Sequence, residues 1–329
     1  MARVVRFHQT GGPEVLQIED LPAEEPGPGE VRIKVAAFGL NRAEVLFRQG
    51  LYLEQPKPPS RIGYEASGVV DAVGPDVTGI RVGDRVGTIP GFSMRKYGVY
   101  GESAVVPAHV VAARPDNLSS VEGAAIWMKY MTAYGALVEY GKVSAEDSVI
   151  ISAASSSVGL AAIQIVKAAG ATAIATSRGA AKKPDLLAAG ADHVIVTEQE
   201  DVGRRTQEIT DGRGARLVFD PVSGLFLEKL AKAAAREGII FEYGSLSMEP
   251  TPYPLAEALG KGLWIRGYTL FEITSHAERL ERGKKFVYDG LAAGHLKPVI
   301  ARTFTLEETA DAHRYMEASG HFGKIVVTV

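Results

Sequence analysis

The apolar positions of Asp147 to Gly170, DSVIISAASSSVGLAAIQIVKAAG, change period partway along the segment. Val149, Ile150 and Ile151 form a short unbroken apolar run, the pattern of a central parallel strand buried on both faces. Ala153 to Ser157 is a turn of very small side chains. Val158, Ala161, Ala162, Ile165 and Val166 then recur at helical spacing, and Gly170 closes the helix. The alternation continues downstream. Strands are predicted at Ala171 to Ser177, Asp192 to Val196, Leu217 to Asp220 and Ile239 to Tyr243, with helices at Asp185 to Ala189, Val202 to Thr210 and Phe226 to Arg236. This order predicts an α/β unit built on a doubly wound parallel sheet.

The first 120 or so residues follow a different period. Val31, Ile33 and Val35 alternate with Arg32 and Lys34, as in a half-buried strand. Val4 to Phe7 and Leu16 to Asp20 are further short strands around the turn Thr10-Gly11-Gly12-Pro13. Asn41 to Gln49 reads as a short helix ended by Gly50. Glycine-punctuated strands then follow at short spacing (GYEASGVVDAVG, RVGDRVGTIP, YGVYGESAVVPAHVVAARP), as in a small β-barrel. Ser119 and Glu122 make a capping box for a helix from near Ser120 that leads into the α/β unit.

Composition narrows the chemistry. The chain has 329 residues, room for roughly two domains, and no cysteine. That excludes disulfides, thiol nucleophiles and cysteine-ligated zinc. A net charge of -3 gives no electrostatic reason to expect nucleic acid or an anionic membrane. No signal peptide is visible, and the serines, glycine and turn within Ser148 to Val166 argue against a membrane span. A cytoplasmic protein is expected. There is no H-E-x-x-H and no G-x-S-x-G. Gly135 to Lys142 has one residue too many for a P-loop, and Val143 stands where Ser or Thr is needed.

The turn before the 158–169 helix is a weakened form of G-x-G-x-x-G. Its glycines would fall on Ala154, Ser156 and Gly159, and only the last is present. Small residues still let a pyrophosphate approach a helix N-terminus, where free N–H groups and the helix dipole favour an anion.

In order of parts, a glycine-punctuated barrel, a TAYGAL-bearing helix, a nucleotide fold with a weakened glycine motif and a terminal GKIVV at Gly323 to Val327, the chain resembles the medium-chain dehydrogenase/reductase superfamily. It is most similar there to the zinc-free quinone oxidoreductases. The resemblance implies a GroES-like catalytic domain over residues 1–120, a Rossmann domain over 121–270, and a return segment, 271–329, that completes the first. It also implies a homodimer, with the active site in the cleft between the domains. Zinc-dependent relatives carry a cysteine and a histidine where this chain has Asn41 and Tyr64, and their four-cysteine lobe is missing here. A metal is therefore not expected; Glu65 alone is not a site.

An NAD-selective fold ends its second strand on Asp or Glu. Here Ser177, Arg178 and nearby Lys182 and Lys183 favour a 2′-phosphate, hence NADPH. A departure is the third-strand end, Val196-Thr197-Glu198, where relatives often carry an adenosine-covering tyrosine. The resemblance places Thr132 by the nicotinamide, and Ser156, Ser157, Val158 and Gly159 at the pyrophosphate. Tyr243, Gly244 and Ser245 fall at the carboxyl edge where the nicotinamide rests. Phe322, Gly323 and Lys324 reach toward the phosphates. Asp220 reads mainly as a turn residue.

Without a metal to polarise a simple ketone, an electron-poor acceptor is expected, a quinone or an α,β-unsaturated carbonyl. Hydride addition to an enone leaves an enolate, which hydrogen-bond donors would stabilise. Candidate donors are Asn41, Tyr52 and Tyr64. Asn41 also reads as an N-cap, and each tyrosine as a packing residue. Trp127, Met128, Tyr130 and Phe271 are candidates for the substrate pocket or for ordinary core. Alternatives are an enoyl-thioester or alkenal reductase, or a NADPH-binding sensor or structural protein with little catalysis.

Overall fold

A computed structural model describes residues 1–329. The chain forms two compact units, residues 1–128 with 298–329, and residues 129–297. These joints lie later than the expected 120 and 270. The long helix Ala277–Ala292 accounts for the second difference, because it packs inside the second unit. There the Phe286 and Tyr134 rings meet at 5.1 Å, and Gly283 sits so close to Met131 that a Cβ would come within 2.6 Å of it. No helix is long and apolar enough to cross a membrane.

The first stretch carries β1 (Ala2–Phe7), β2 (Gln17–Leu21), β3 (Glu30–Gly39), β4 (Ser60–Arg61), β5 (Glu65–Val73), β6 (Arg85–Thr88), β7 (Ser103–Pro107) and β8 (Val111–Ala113). The middle stretch carries β9 (Ser148–Ile151), β10 (Thr172–Ser177), β11 (His193–Val196), β12 (Ala215–Asp220), β13 (Ala234–Glu242) and β14 (Trp264–Gly267). The return adds β15 (Ile300–Thr305) and β16 (Lys324–Thr328).

In the first unit β2-β1-β4 form one sheet, and β15-β16-β3-β5-β6-β8 a second, with β7 also on β3. An isolated bridge from Val4 to Gly101 ties β1 to the segment that leads into β7. Strand β3 is central because its inward residues Val31, Ile33 and Val35 are apolar and buried, while Arg32 reaches out to Asp71 at 2.9 Å. Strand β16, from the far end of the chain, pairs antiparallel with β3. That register brings the C-terminal segment beside the residues that follow β3.

The second unit is a six-stranded parallel sheet in the order β11-β10-β9-β12-β13-β14. The chain runs outward from β9 to β11, then crosses back to β12. The switch point therefore lies at the carboxyl ends of β9 and β12, where open α/β sheets bind ligands. Ile150, Ile174, Ile195, Val218 and Ile240 of successive strands are all buried in one cluster. The helix Phe226–Ala233 is shorter than the expected 226–236. Ala234 is already extended and pairs with Ala215, so sheet pairing overrides the local helical pattern.

The helix expected from Ser120 is likewise broken. Its capping box is present, with Ser119 and Glu122 bonded reciprocally, yet the helix is a single turn, Ser120–Gly123. A separate helix starts at Trp127, because the Glu65 carboxylate takes the Trp127 and Met128 N–H groups at 2.7 and 3.1 Å. A carboxylate at a helix N-terminus meets both its unsatisfied donors and its dipole.

Candidate active site

Residues following β3 and preceding β5 converge in the first unit on a buried polar cluster. Asn41 occupies the N-cap position of helix Arg42–Gln49, but its side chain makes no cap bond. Its amide nitrogen instead donates to Glu44 Oε1 at 3.0 Å and to the Gly39 carbonyl at 3.3 Å. Its oxygen accepts from the Lys324 ammonium. Lys324 also lies 2.5 Å from Glu65 Oε2, with both side chains fully buried. Gly39 makes room: a Cβ there would collide with the Ala124 carbonyl and come within 2.6 Å of Lys324 Cε.

Lys324 is expected at the cofactor phosphates. The structure instead commits its ammonium to Asn41 and Glu65, inside its own unit. Glu65 accepts from Lys324 and from two backbone N–H groups, so both its oxygens are engaged. No group of three His, Cys, Asp or Glu side chains is placed to hold a metal ion.

Glu44 is the member of the cluster that sequence reasoning missed. It is fully buried, and Oε1 accepts from Asn41 and from the Tyr64 N–H at 3.1 Å, while Oε2 has no partner. Burial pushes its carboxyl up to about 7, against the opposing effect of Asn41 and the Lys324 charge. Tyr64 is 1% exposed, its ring packed on those of Phe92 and Tyr52. Burial, and then the Tyr52 hydroxyl, hold its phenol far above the usual range. Tyr52 is only partly buried and is pushed up to about 12, first by burial and then by Glu44. Both phenols therefore stay protonated and can donate. Trp127 is fully buried in this unit, and Met128 partly so. Phe322 and Gly323 precede β16, where Gly323 has φ +107°.

In the second unit the small-residue turn follows β9. Ser156 caps helix Ser157–Ala168, its hydroxyl accepting from the Gly159 N–H at 3.0 Å. The first-turn N–H groups of Ser157 and Val158 have no acceptor within the helix, as at any helix N-terminus. Gly159 packs on the turn so tightly that a Cβ would lie 2.6 Å from Ala154 Cα and its carbonyl. The one glycine kept from the motif is thus the one that sets helix–turn contact.

Ser177 ends β10, and its hydroxyl donates to the Gly179 carbonyl at 2.9 Å. Arg178 is exposed, and Lys182 donates to Ser155 Oγ at 3.0 Å, close to the small-residue turn. Burial and then the Arg178 charge lower the Lys182 pKa. Two cations that repel each other beside a helix N-terminus form a place for an anion.

At the ends of β12 and β13 the Tyr243 ring stacks on Phe219 at 3.9 Å, and its hydroxyl is buried without a partner. Gly244 and Ser245 are accessible at the strand end. Asp220 makes the expected turn, accepting from the Val222 and Ser223 N–H groups at 3.1 and 2.7 Å. It also accepts from Ser152 and stands opposite Glu242 in the strand register, neither of which was foreseen. A signal was available: the apolar runs LVF and IIF each end on an acid, at neighbouring strand ends. Thr132 is 6% exposed; Tyr130 is fully buried, its hydroxyl 2.8 Å from Gln164 Oε1. Phe271 opens a single helical turn, Phe271–Thr274.

A parallel-sheet unit with a Ser156-capped helix N-terminus beside two cations, carried on a chain whose other unit is built from glycine-punctuated β-sheets, has the build of a two-domain oxidoreductase. Comparison with known proteins agrees. Family models described as "Alcohol dehydrogenase GroES-like domain" and "Zinc-binding dehydrogenase" match residues 27–116 and 189–327. A 2-haloacrylate reductase from Burkholderia sp is 32% identical, covering 99% of this chain and 98% of that protein. A quinone oxidoreductase from Pseudomonas aeruginosa is 32% identical, covering 99% of each. The crystal structure of Escherichia coli quinone oxidoreductase complexed with NADPH superposes with a TM-score of 0.92 at 30% identity, covering both chains fully. The chain belongs to the zinc-free, quinone oxidoreductase-like family of the medium-chain dehydrogenase/reductase superfamily.

Proposed function

We propose that the protein is an NADPH-dependent reductase of quinones or α,β-unsaturated carbonyl compounds that works without zinc. The observation that carries this reading is the end of β10. Ser177 stands where an acid would exclude a 2′-phosphate, with Arg178 and Lys182 beside the Ser156-capped helix N-terminus. These residues fit a phosphorylated dinucleotide, with Ser157 and Val158 N–H groups for the pyrophosphate and Tyr243, Gly244 and Ser245 toward the nicotinamide. The Escherichia coli quinone oxidoreductase structure, a complex with NADPH, supports the same cofactor.

NADPH, when bound, supplies a hydride. The chain's own contribution is to orient the acceptor and to stabilise the negative charge that develops on its oxygen. Tyr52 is the residue we assign to that task; both amide protons of Asn41 go to Glu44 and the Gly39 carbonyl, so Asn41 is assigned a positioning role beside it. The Asn41 amide is held in one orientation by Lys324 on its oxygen and Glu44 on its nitrogen. Tyr64 is assigned a supporting role, since its phenol is enclosed and in hydrogen-bonding relation with Tyr52. The name of the 2-haloacrylate reductase relative, whose substrate has an activated carbon–carbon double bond, supports the α,β-unsaturated half of this reading.

We also propose a homodimer. Trp264 on the edge strand β14 and Leu255 and Leu259 on the neighbouring helix are 69%, 58% and 76% exposed, an apolar edge that a second copy would cover.

The test is to follow absorbance of NADPH or NADH with 1,4-benzoquinone, 9,10-phenanthrenequinone, an alkenal, an enoyl thioester and a simple aldehyde, with and without chelator. Chelator-insensitive oxidation of NADPH by a quinone or enone is the expected result. Loss of activity with chelator, or preference for the aldehyde, would overturn the zinc-free reading. Saturable NADPH binding with no turnover would point to a binding protein instead.

A further inference from the structure

Ser223 has more acceptors around it than it has protons. Its hydroxyl oxygen lies 2.6 Å from Glu242 Oε2 and 2.6 Å from the Gly244 carbonyl. A serine donates once, and a carbonyl can only accept. If Ser223 donates to Gly244, the close contact to Glu242 is favourable only when Glu242 carries the proton and donates it to Ser223. If Ser223 instead donates to an ionised Glu242, its oxygen faces the Gly244 carbonyl at the same distance with no hydrogen between them. Only the first arrangement gives both close contacts of the Ser223 hydroxyl a proton. Glu242 also stands in hydrogen-bonding relation with the Asp220 carboxyl, a contact that requires one of the two to carry a proton.

The neighbouring carboxyl has the opposite surroundings. Asp220 accepts three hydrogen bonds, from the Ser152 hydroxyl and from the Val222 and Ser223 N–H groups. Burial raises the Asp220 carboxyl, and these three donors oppose that rise, support that Glu242 lacks. Two adjacent carboxyls in environments this different divide their roles, one charged and one neutral.

We propose that Glu242 is a positioning residue. Its neutral carboxyl, hydrogen-bonded through Ser223 to the Gly244 carbonyl beside ionised Asp220, clasps the ends of β9, β12 and β13 and holds Tyr243-Gly244-Ser245 for the cofactor. The inference rests on the proposed reading of this edge as the nicotinamide end of an NADPH site. The clasp fixes a backbone that would otherwise relax. Ser223 has φ +60° and Gly224 φ +61°, and Gly244 lies so close to Pro221 that a Cβ would approach it to 3.0 Å.

Burial, and then the Asp220 charge, push the Glu242 carboxyl up to about 8. Asp220 is the charged group facing it from β12. On β14 the Arg266 guanidinium turns away, to Glu272 and the Tyr140 ring. Lys261 on the following helix binds the Ala231, Lys232 and Ala234 carbonyls at the other end of β13. Tyr243, beside it in sequence, stays protonated. Ionisation of Glu242 would place a second negative charge beside Asp220 and leave Ser223 unable to serve both neighbours. The segment it holds should then loosen.

The experiment combines isotope-edited infrared spectroscopy of glutamate-labelled full-length protein with NADPH titration by fluorescence. At about pH 7 the wild type should show a protonated carboxyl band that is absent from Glu242→Gln, shifted in Ser223→Ala, and lost on going to about pH 9. NADPH should bind the wild type about tenfold more weakly at the higher pH, a difference of one decade in Kd. Glu242→Gln keeps a neutral donor and should bind with no such pH dependence, while Glu242→Ala should bind weakly throughout. A wild-type spectrum with no protonated glutamate, or one whose band ignores Ser223→Ala, overturns the proposal without requiring any Glu242 variant to fold. So does a Glu242→Gln protein that keeps the wild-type pH dependence. If NADPH fails to bind the wild type at any pH, the cofactor reading falls and the positioning role with it, while the infrared band still decides the protonation of Glu242.

Discussion

The Lys324 ammonium lies 2.5 Å from Glu65 Oε2, although 259 residues separate the two in sequence and both side chains are fully buried. The pair joins β16 to β5 on either side of β3. Removing one partner leaves a buried charge uncompensated, a change that costs about 3–5 kcal/mol. Lys324→Met and Glu65→Gln should each lower stability by that amount in urea unfolding. The double variant should be less destabilised than the sum. Strict additivity would show that the two charges are not coupled.

His313 should govern stability toward acid. It is fully buried, neither ring nitrogen has a partner, and burial followed by the Arg48 charge lowers its pKa to about 3. In the unfolded chain a histidine protonates near its ordinary value of about 6.5. The unfolded state therefore binds the proton first, and stability falls as pH drops from about 6.5 toward 3. Between about pH 7 and 5 this amounts to about 2 kcal/mol. His313→Leu should flatten that part of a Tm-against-pH curve; an unchanged slope would show that the imidazole is not the group responsible.

Glu44 should act in the opposite direction. Its folded pKa, raised to about 7, exceeds the ordinary carboxyl value, so the folded state holds a proton that the unfolded state has released. Stability then declines as pH rises from about 4.5 to 7 and levels off above. Glu44→Gln stays neutral and should remove the decline. Gln retains one oxygen to accept from Asn41 and the Tyr64 N–H. Chemical denaturation at a series of pH values reads the difference directly, and parallel curves for the two proteins would refute it.

Arg178 and Lys182 should set cofactor choice. Each charge-assisted bond to a phosphate is worth about 1.5–3 kcal/mol. Arg178→Ala with Lys182→Ala should raise the NADPH Kd by at least about 100-fold and leave the NADH Kd within a few-fold. Equal losses for both cofactors would mean that the cations hold the turn and not the 2′-phosphate.

Trp264 should report the assembly. A Trp264→Glu substitution puts a charge on the exposed edge of β14. Light scattering on the size-exclusion column should show the wild type as a dimer and the variant as a monomer with unchanged circular dichroism. A wild-type monomer would remove the proposal.

Much of the fold was legible in the sequence because the determinants were local. The apolar runs of β9 to β13, the period-two alternation of β3, the capping box at Ser119 and the closing Gly170 each act over a few residues. So do the small-residue turn at Ser156 and the basic end of β10, the features on which the proposed cofactor site rests. Tertiary structure decided everything that depended on residues far apart in the chain. Glu65 broke an expected helix by taking the N–H groups of Trp127 and Met128. Pairing with Ala215 turned Ala234 from helix to strand. Lys324, expected at a phosphate, was drawn by the β16–β3 register to Asn41 and Glu65. Parallel register set Asp220 beside Glu242. Periodicity records which face a residue shows to its own element; the partner it meets is fixed by strand register and by the need to satisfy buried charge, and neither is written in any short window of sequence.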